Sequence, residues 1–280
     1  MFIADSQVHI WAASTPERPW PMRYEPHRPV PYSAEDLLRD MDAAGVQRAV
    51  IVPPGWEGER NDLASAAAQR YPGRFGVMGR IDAEATDARE QVRTWRSQPG
   101  MLGMRFTLRR PIFQAILEEG RLDWLWAEAE RHGVPVMIQV SHAQLPHIDR
   151  IAERHPGLRI TLDHMALTTG EKDQVAFRDV GKLLALARRP NVAVKASAVP
   201  AYTDDVYPYR KLHPYLRRIH EAFGARRMFW GTDLTRMPIA YPQLIALFTE
   251  EMPWLTAEDR AWIMGRGVCE WLGWPRPAAD

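Results

Sequence analysis

Asp233 follows an apolar run, a glycine and a threonine, and an aspartate so placed can take a proton from water or hold a metal ion. His9 and His164 also stand just past short apolar runs. Imidazole suits proton transfer, carbonyl polarisation or metal ligation near neutral pH. Arg105 brings a planar fork that fits a carboxylate or a hydroxyl. Gln7, Gln139 and His142 offer neutral polar groups, and Lys195 offers a cation. Asp163 and Ser197 stand at two of the same run ends. Together these residues, each standing at or just past the end of an apolar run, are candidates for one site.

Each also has a plainer reading. A histidine at a strand end can be a satisfied structural residue, Arg105 an ion-pair partner, Lys195 a capping charge, and Asp163 an orienting group. His27, His132, His147, His155, His213 and His220 fall in loops or on helices and read mostly as solvated or packed. Of the tryptophans, Trp11, Trp20, Trp56 and Trp230 adjoin run ends and are candidate pocket walls. Trp124, Trp126, Trp262, Trp271 and Trp274 sit at helical spacing and read as packing. Cys269, the single cysteine, rules out a disulfide framework or a cysteine metal cluster within one chain and reads as a small apolar residue.

The elements that must position these groups follow from the hydrophobic pattern. Apolar runs at 2–4, 49–52, 75–78, 101–106, 134–140, 160–162, 192–194 and 228–230 alternate with segments of helical character. Those segments cover 33–44, 61–70, 85–97, 122–132, 145–155, 177–188 and 212–223, with last helices at 241–249 and 257–272. Ser33 with Asp36 marks a helix start, and Gly45, Gly133 and Gly224 mark helix ends. Eight such units predict an α/β chain forming a (β/α)8 TIM barrel, one domain over residues 1–280. An open doubly wound sheet is the alternative, but no Gly-x-Gly-x-x-Gly or phosphate loop follows any run. A proline-rich segment, 11–32, follows the first strand and is expected to cover the face where barrel active sites are built.

Composition sets limits. With 36 Lys+Arg against 35 Asp+Glu, the net charge of +1 gives no reason to expect a nucleic-acid or membrane partner. No apolar run approaches the ~18 residues of a membrane span, and no leading signal is visible. A cytoplasmic enzyme acting on a small molecule, with homo-oligomer formation open, is the expectation.

Four motifs in order carry a family resemblance. Residues 3–11, Ile-Ala-Asp-Ser-Gln-Val-His-Ile-Trp, resemble the Asp-x-His-x-His first-strand motif of the amidohydrolase-2 group. Gly103-Met104-Arg105-Phe106 resembles its Gly-[Ile/Val]-Arg strand. Residues 155–164, ending Leu-Asp-His, and residues 223–233, ending Phe-Trp-Gly-Thr-Asp, are similar to its later strands. The resemblance runs from residue 3 to the end and implies a (β/α)8 barrel whose members include hydrolases, lactonases and decarboxylases. In metal-binding members both histidines of the first motif and one on the fifth strand are ligands. Here Gln7 and Gln139 stand at two of those places, and an amide is a poor substitute for imidazole at a divalent ion.

The resemblance therefore implies the metal-independent lactonase branch, similar to pyrone-dicarboxylate and sugar-lactone lactonases. The segments 162–164 and 207–214 look more like that branch than like the decarboxylases. On this reading Asp233 is the general base, and His9 and His164, with His142, polarise the carbonyl. Arg105, Gln7, Gln139, Lys195 and Trp11 contact the substrate. No cofactor is favoured, and a Zn or Mn ion, if present, would sit on His9, His164 and Asp233. The alternatives are a Zn- or Mn-dependent amidohydrolase or decarboxylase on the same barrel, or a non-catalytic barrel that binds a small molecule.

Overall fold

A computed structural model describes residues 1–21, 26–108 and 111–276. The apolar runs become eight strands: β1 (Ala4–Val8), β2 (Arg48–Ile51), β3 (Phe75–Gly79), β4 (Met101–Thr107), β5 (Val136–Gln139), β6 (Ile160–Leu162), β7 (Val192–Ser197) and β8 (Met228–Gly231). Each pairs in parallel with the next in sequence order. The Asp233 N–H donates to the Gln7 carbonyl at 2.8 Å, tying the end of β8 back to β1. The result is the expected (β/α)8 barrel, nearly closed, with helices outside. No helix among the described residues is long and apolar enough to cross a membrane.

Local chemistry explains the helices. The helix Ala34–Ala44 starts on Ser33, whose hydroxyl accepts from the Asp36 N–H while the Asp36 carboxylate accepts from the Ser33 N–H, and it stops at Gly45 in the left-handed region (φ 73°). The helix Leu145–Arg154 buries Leu145, Ile148, Ile151 and Ala152, the three-to-four spacing of one packed face. One helix, Pro111–Glu118, falls outside the sequence-predicted segments.

The barrel interior changes character along its axis. At the floor Ala4, Val50, Met78, Leu102, Met137, Ala193 and Phe229 make an apolar core, closed by the helix Gly267–Leu272 and Trp274. Cys269 belongs to this plug, in keeping with its structural reading. Alternation along β7 then turns Lys195 and Ser197 to the side Ala193 faces, and along β5 it turns Gln139 to the side of Met137. The same face that is apolar at the floor is polar at the mouth.

Candidate active site

Polar side chains at the strand ends meet at the mouth of the barrel. β1 runs further than predicted, so Asp5 and Gln7 lie inside the strand and His9 just beyond it. Asp5 is a buried brace: its carboxylate accepts from the Gln7 N–H (3.0 Å), the Thr232 N–H (2.9 Å), the Thr232 hydroxyl and the Tyr241 hydroxyl (2.8 Å). Burial nonetheless pushes its pKa up to about 6.

Asp233 directly follows Thr232 in the left-handed region (φ 56°, ψ 41°), a conformation that Asp tolerates better than most residues. Its carboxylate is 1% exposed. Oδ2 pairs with Arg236 at 3.1 Å and lies 3.8 Å from Nε2 of His164. Oδ1 lies 3.0 Å from Nε2 of His9, in a geometry that makes no hydrogen bond, and is left buried without a hydrogen-bond partner. Burial works to raise the pKa of this group, but His9 and Arg236 beside it hold it well below the carboxylate range.

The two histidines are set up differently. His9 Nδ1 lies 2.6 Å from the Val52 carbonyl, which can only accept, so Nδ1 carries a proton, and Nε2 meets the Gln7 amide nitrogen at 3.2 Å and Oδ1 of Asp233 at 3.0 Å. His164, also left-handed (φ 51°), has Nδ1 2.8 Å from the Ser197 hydroxyl. Burial lowers His164 to about 3, so it is a neutral imidazole at physiological pH.

Behind these lies a charge network. The Lys195 ammonium pairs with Asp163 at 2.7 Å and donates to Oε1 of Gln7. Arg105 donates to Asp163 from Nε (3.1 Å) and to Oε1 of Gln139 from Nη2 (2.7 Å). Burial favours neutral Asp163, yet the two cations bring it down to about 2; burial in turn lowers Lys195. Because Lys195 takes the Gln7 oxygen, the Gln7 amide nitrogen faces Nε2 of His9 at 3.2 Å. Gln7 and Gln139, expected at the substrate, are thus bound into this network.

Arg105 also borders a cavity of about 410 Å³ with Glu59, Arg80, Asp82, Thr107 and Trp124, at the ends of β3 and β4. Trp124, expected as packing alone, is therefore a wall. Trp11 is buried and packs on His27, Tyr32 and Trp56, and Trp230 stacks on Tyr241 in the core. His142 turns Nε2 to the Met165 carbonyl at 3.1 Å, so that nitrogen is spent on holding the loop after β6.

Sequence reasoning missed two site residues. Arg236 pairs with Asp233, and its cue was a spacing of three residues. His27, from the proline-rich segment, lies edge-on to His9 with ring centroids 5.3 Å apart. Burial, then the neighbouring His9, lowers its pKa to about 4. A ring nitrogen of His9, one of His27 and a carboxylate oxygen of Asp233 all lie within 4.8 Å of one another. The cue for His27 was topological: a loop leaving β1 at its C-terminal end must pass over the mouth.

Known proteins resemble this chain over most or all of its length. L-fucono-1,5-lactonase of Burkholderia ambifaria is 25% identical over 305 residues, spanning 100% of this chain and 98% of that protein. 4-Sulfomuconolactone hydrolase of Hydrogenophaga intermedia is 25% identical, over 82% of this chain and 73% of that protein. An amidohydrolase of Burkholderia multivorans, crystallised with bound zinc, superposes with a TM-score of 0.81 at 21% identity, covering 98% of this chain and 100% of its own. The family model described as amidohydrolase matches residues 4–266, and the chain belongs to that family.

Proposed function

We propose that this chain hydrolyses a lactone, a cyclic ester, of a small substrate bearing hydroxyl or carboxylate groups. The observation that carries this reading is the buried Asp233 carboxylate, one oxygen paired with Arg236 and the other 3.0 Å from Nε2 of His9, at the mouth of the barrel. Two relatives named as lactone hydrolases support it.

The chemistry follows from the geometry. Water adds to the acyl carbon as Oδ1 of Asp233 takes its proton. The same proton then passes to the ring oxygen as the carbon–oxygen bond breaks, giving a hydroxy acid. A carboxylate held so far toward its ionised form is a weak base, which suits an activated ester better than an amide. His164, its Nδ1 on the Ser197 hydroxyl, turns Nε2 toward Asp233, and in the tautomer with the proton on Nε2 it donates to the carbonyl oxygen. His9, with Nδ1 on the Val52 carbonyl and Nε2 between the Gln7 amide and Asp233, stands beside it as the second imidazole. Arg105 and the cavity beside it seat the substituents of the ring.

The donor set at this corner, imidazole nitrogens of His9 and His27 beside a carboxylate oxygen of Asp233, fits a divalent ion, which when bound would lower the pKa of a water and polarise an acyl oxygen. None of the steps above depends on it.

A panel of sugar lactones and carboxylated lactones, read by acid release with a pH indicator, tests the proposal. Opening of at least one lactone class with an Asp233-dependent rate supports it. Release of CO2 from aromatic acids without lactone opening would replace it by a decarboxylase reading.

A further inference from the structure

The loop between β1 and the following helix begins and ends at one place. Trp11 and Tyr32 exchange backbone hydrogen bonds of 3.0 and 3.2 Å, forming an antiparallel bridge. Between those ends the loop is pinned across the mouth at His27 and Arg28. His27 Nδ1 lies 2.9 Å from the Thr235 hydroxyl, and Arg28 donates to the Thr235 carbonyl at 3.2 Å. Thr235 is two residues past Asp233, so this pinning delivers the His27 ring to the catalytic carboxylate. Trp56 backs the ring edge-on, with centroids 4.9 Å apart.

Three features of this corner point to a cation. The ring nitrogens of His9 and His27 and an oxygen of Asp233 fall within 4.8 Å of one another, inside the reach of one ion. Each histidine has its Nδ1 taken by an outer partner, Val52 for His9 and Thr235 for His27, which is how ligating imidazoles are oriented. Oδ1 of Asp233, 1% exposed as a side chain, lies 3.0 Å from Nε2 of His9 without a hydrogen bond of good geometry. Two imidazoles and one carboxylate are the protein donors of a catalytic zinc-type site.

We propose that His27 joins His9 and Asp233 as ligands to a single divalent ion of the zinc class, so that a histidine from the loop supplies a donor where the first strand carries Gln7. The ion then also fastens the 11–32 loop to the barrel. This rests on Asp233 belonging to the active site, but not on which bond the enzyme breaks.

The test uses the full chain, stripped with a chelator and titrated with Zn2+ and Co2+ in the absence of substrate. Stoichiometry comes from elemental analysis, affinity from calorimetry, and ligand geometry from the visible absorption of the Co2+ form. Wild type should take up one ion per chain. His27→Gln, which keeps a side chain that can reach Thr235, and His27→Ala should each bind at least about 10-fold more weakly, with altered Co2+ bands. His147→Ala, on an outer helix, should match wild type. Zn2+ should slow amide exchange across 11–32 in wild type and not in the His27 variants. Failure of wild type to bind at millimolar Zn2+, or unchanged affinity and Co2+ spectrum in both His27 variants, would overturn the proposal. Because no readout involves turnover, a negative lactone panel leaves this result standing, and a negative titration leaves the lactonase reading standing.

Discussion

The Lys195 ammonium and the Asp163 carboxylate meet at 2.7 Å, with neither side chain reaching solvent. Such a pair costs much desolvation and is retained where it fixes something else. Here Lys195 decides which end of the Gln7 amide faces His9, and Asp163 holds Arg105 at the rim of the cavity. The pair joins the β1 histidine to the β4 arginine through the barrel interior.

Breaking it should therefore be costly. Lys195→Met leaves Asp163 with Arg105 alone and is expected to lose about 3 kcal/mol of stability, the scale for stranding one partner of a buried pair. Urea midpoints measure this. Lys195→Met with Asp163→Asn should recover part of the loss, and strictly additive effects of the two changes would show that the pair does not interact.

Asp233→Asn tests the base without disturbing the backbone, because asparagine accepts the left-handed conformation at this position. Turnover should fall by about 10³-fold, the middle of the range for losing a general base, while the far-ultraviolet spectrum and melting temperature stay near wild type. Turnover close to wild type would remove Asp233 from the mechanism.

Arg105→Lys keeps the charge and loses the fork that spans Asp163 and Gln139. KM should rise about 10-fold, equivalent to ~1.4 kcal/mol of binding, with a smaller change in kcat. A reversed split, with kcat falling and KM fixed, would place Arg105 at the reacting carbonyl instead.

Asp5 gives a pH signature. Its folded pKa, about 6, lies above the ordinary 3.8, so the folded chain keeps this proton after the unfolded chain has lost its own. The contribution is complete below pH 3.8 and is lost as pH rises to about 6, a fall of about 3 kcal/mol. Subtracting the stability curve of Asp5→Asn from that of wild type isolates it. A flat difference between pH 4 and 7 would mean that the four donors keep Asp5 ionised in the folded chain.

Most of the barrel was legible because β-branched runs buried on both faces read as continuous apolar segments, and because caps such as Ser33 and Gly45 are chemical signals. The strand-end rule also selected Asp233, His9, His164 and Arg105, which do converge at the mouth. It could not show that Gln7 and Gln139 would face inward to Lys195 and Arg105, since amide orientation depends on partners from distant strands. Nor could it place His27 or Arg236. Both lie in irregular segments after strand ends, aimed by a few contacts to residues distant from any periodic pattern, and such contacts leave no periodicity to read.

The Trp11–Tyr32 bridge has one more consequence. A segment whose two ends are already hydrogen-bonded to each other transmits little of its own length or sequence to the scaffold that carries it. It can therefore be lengthened, shortened or exchanged like a cassette, bringing or removing a donor such as His27 while the eight strands stay fixed. In this fold a donor at the mouth can be changed within a connecting segment of about twenty residues, apart from the strands that set the rest of the site.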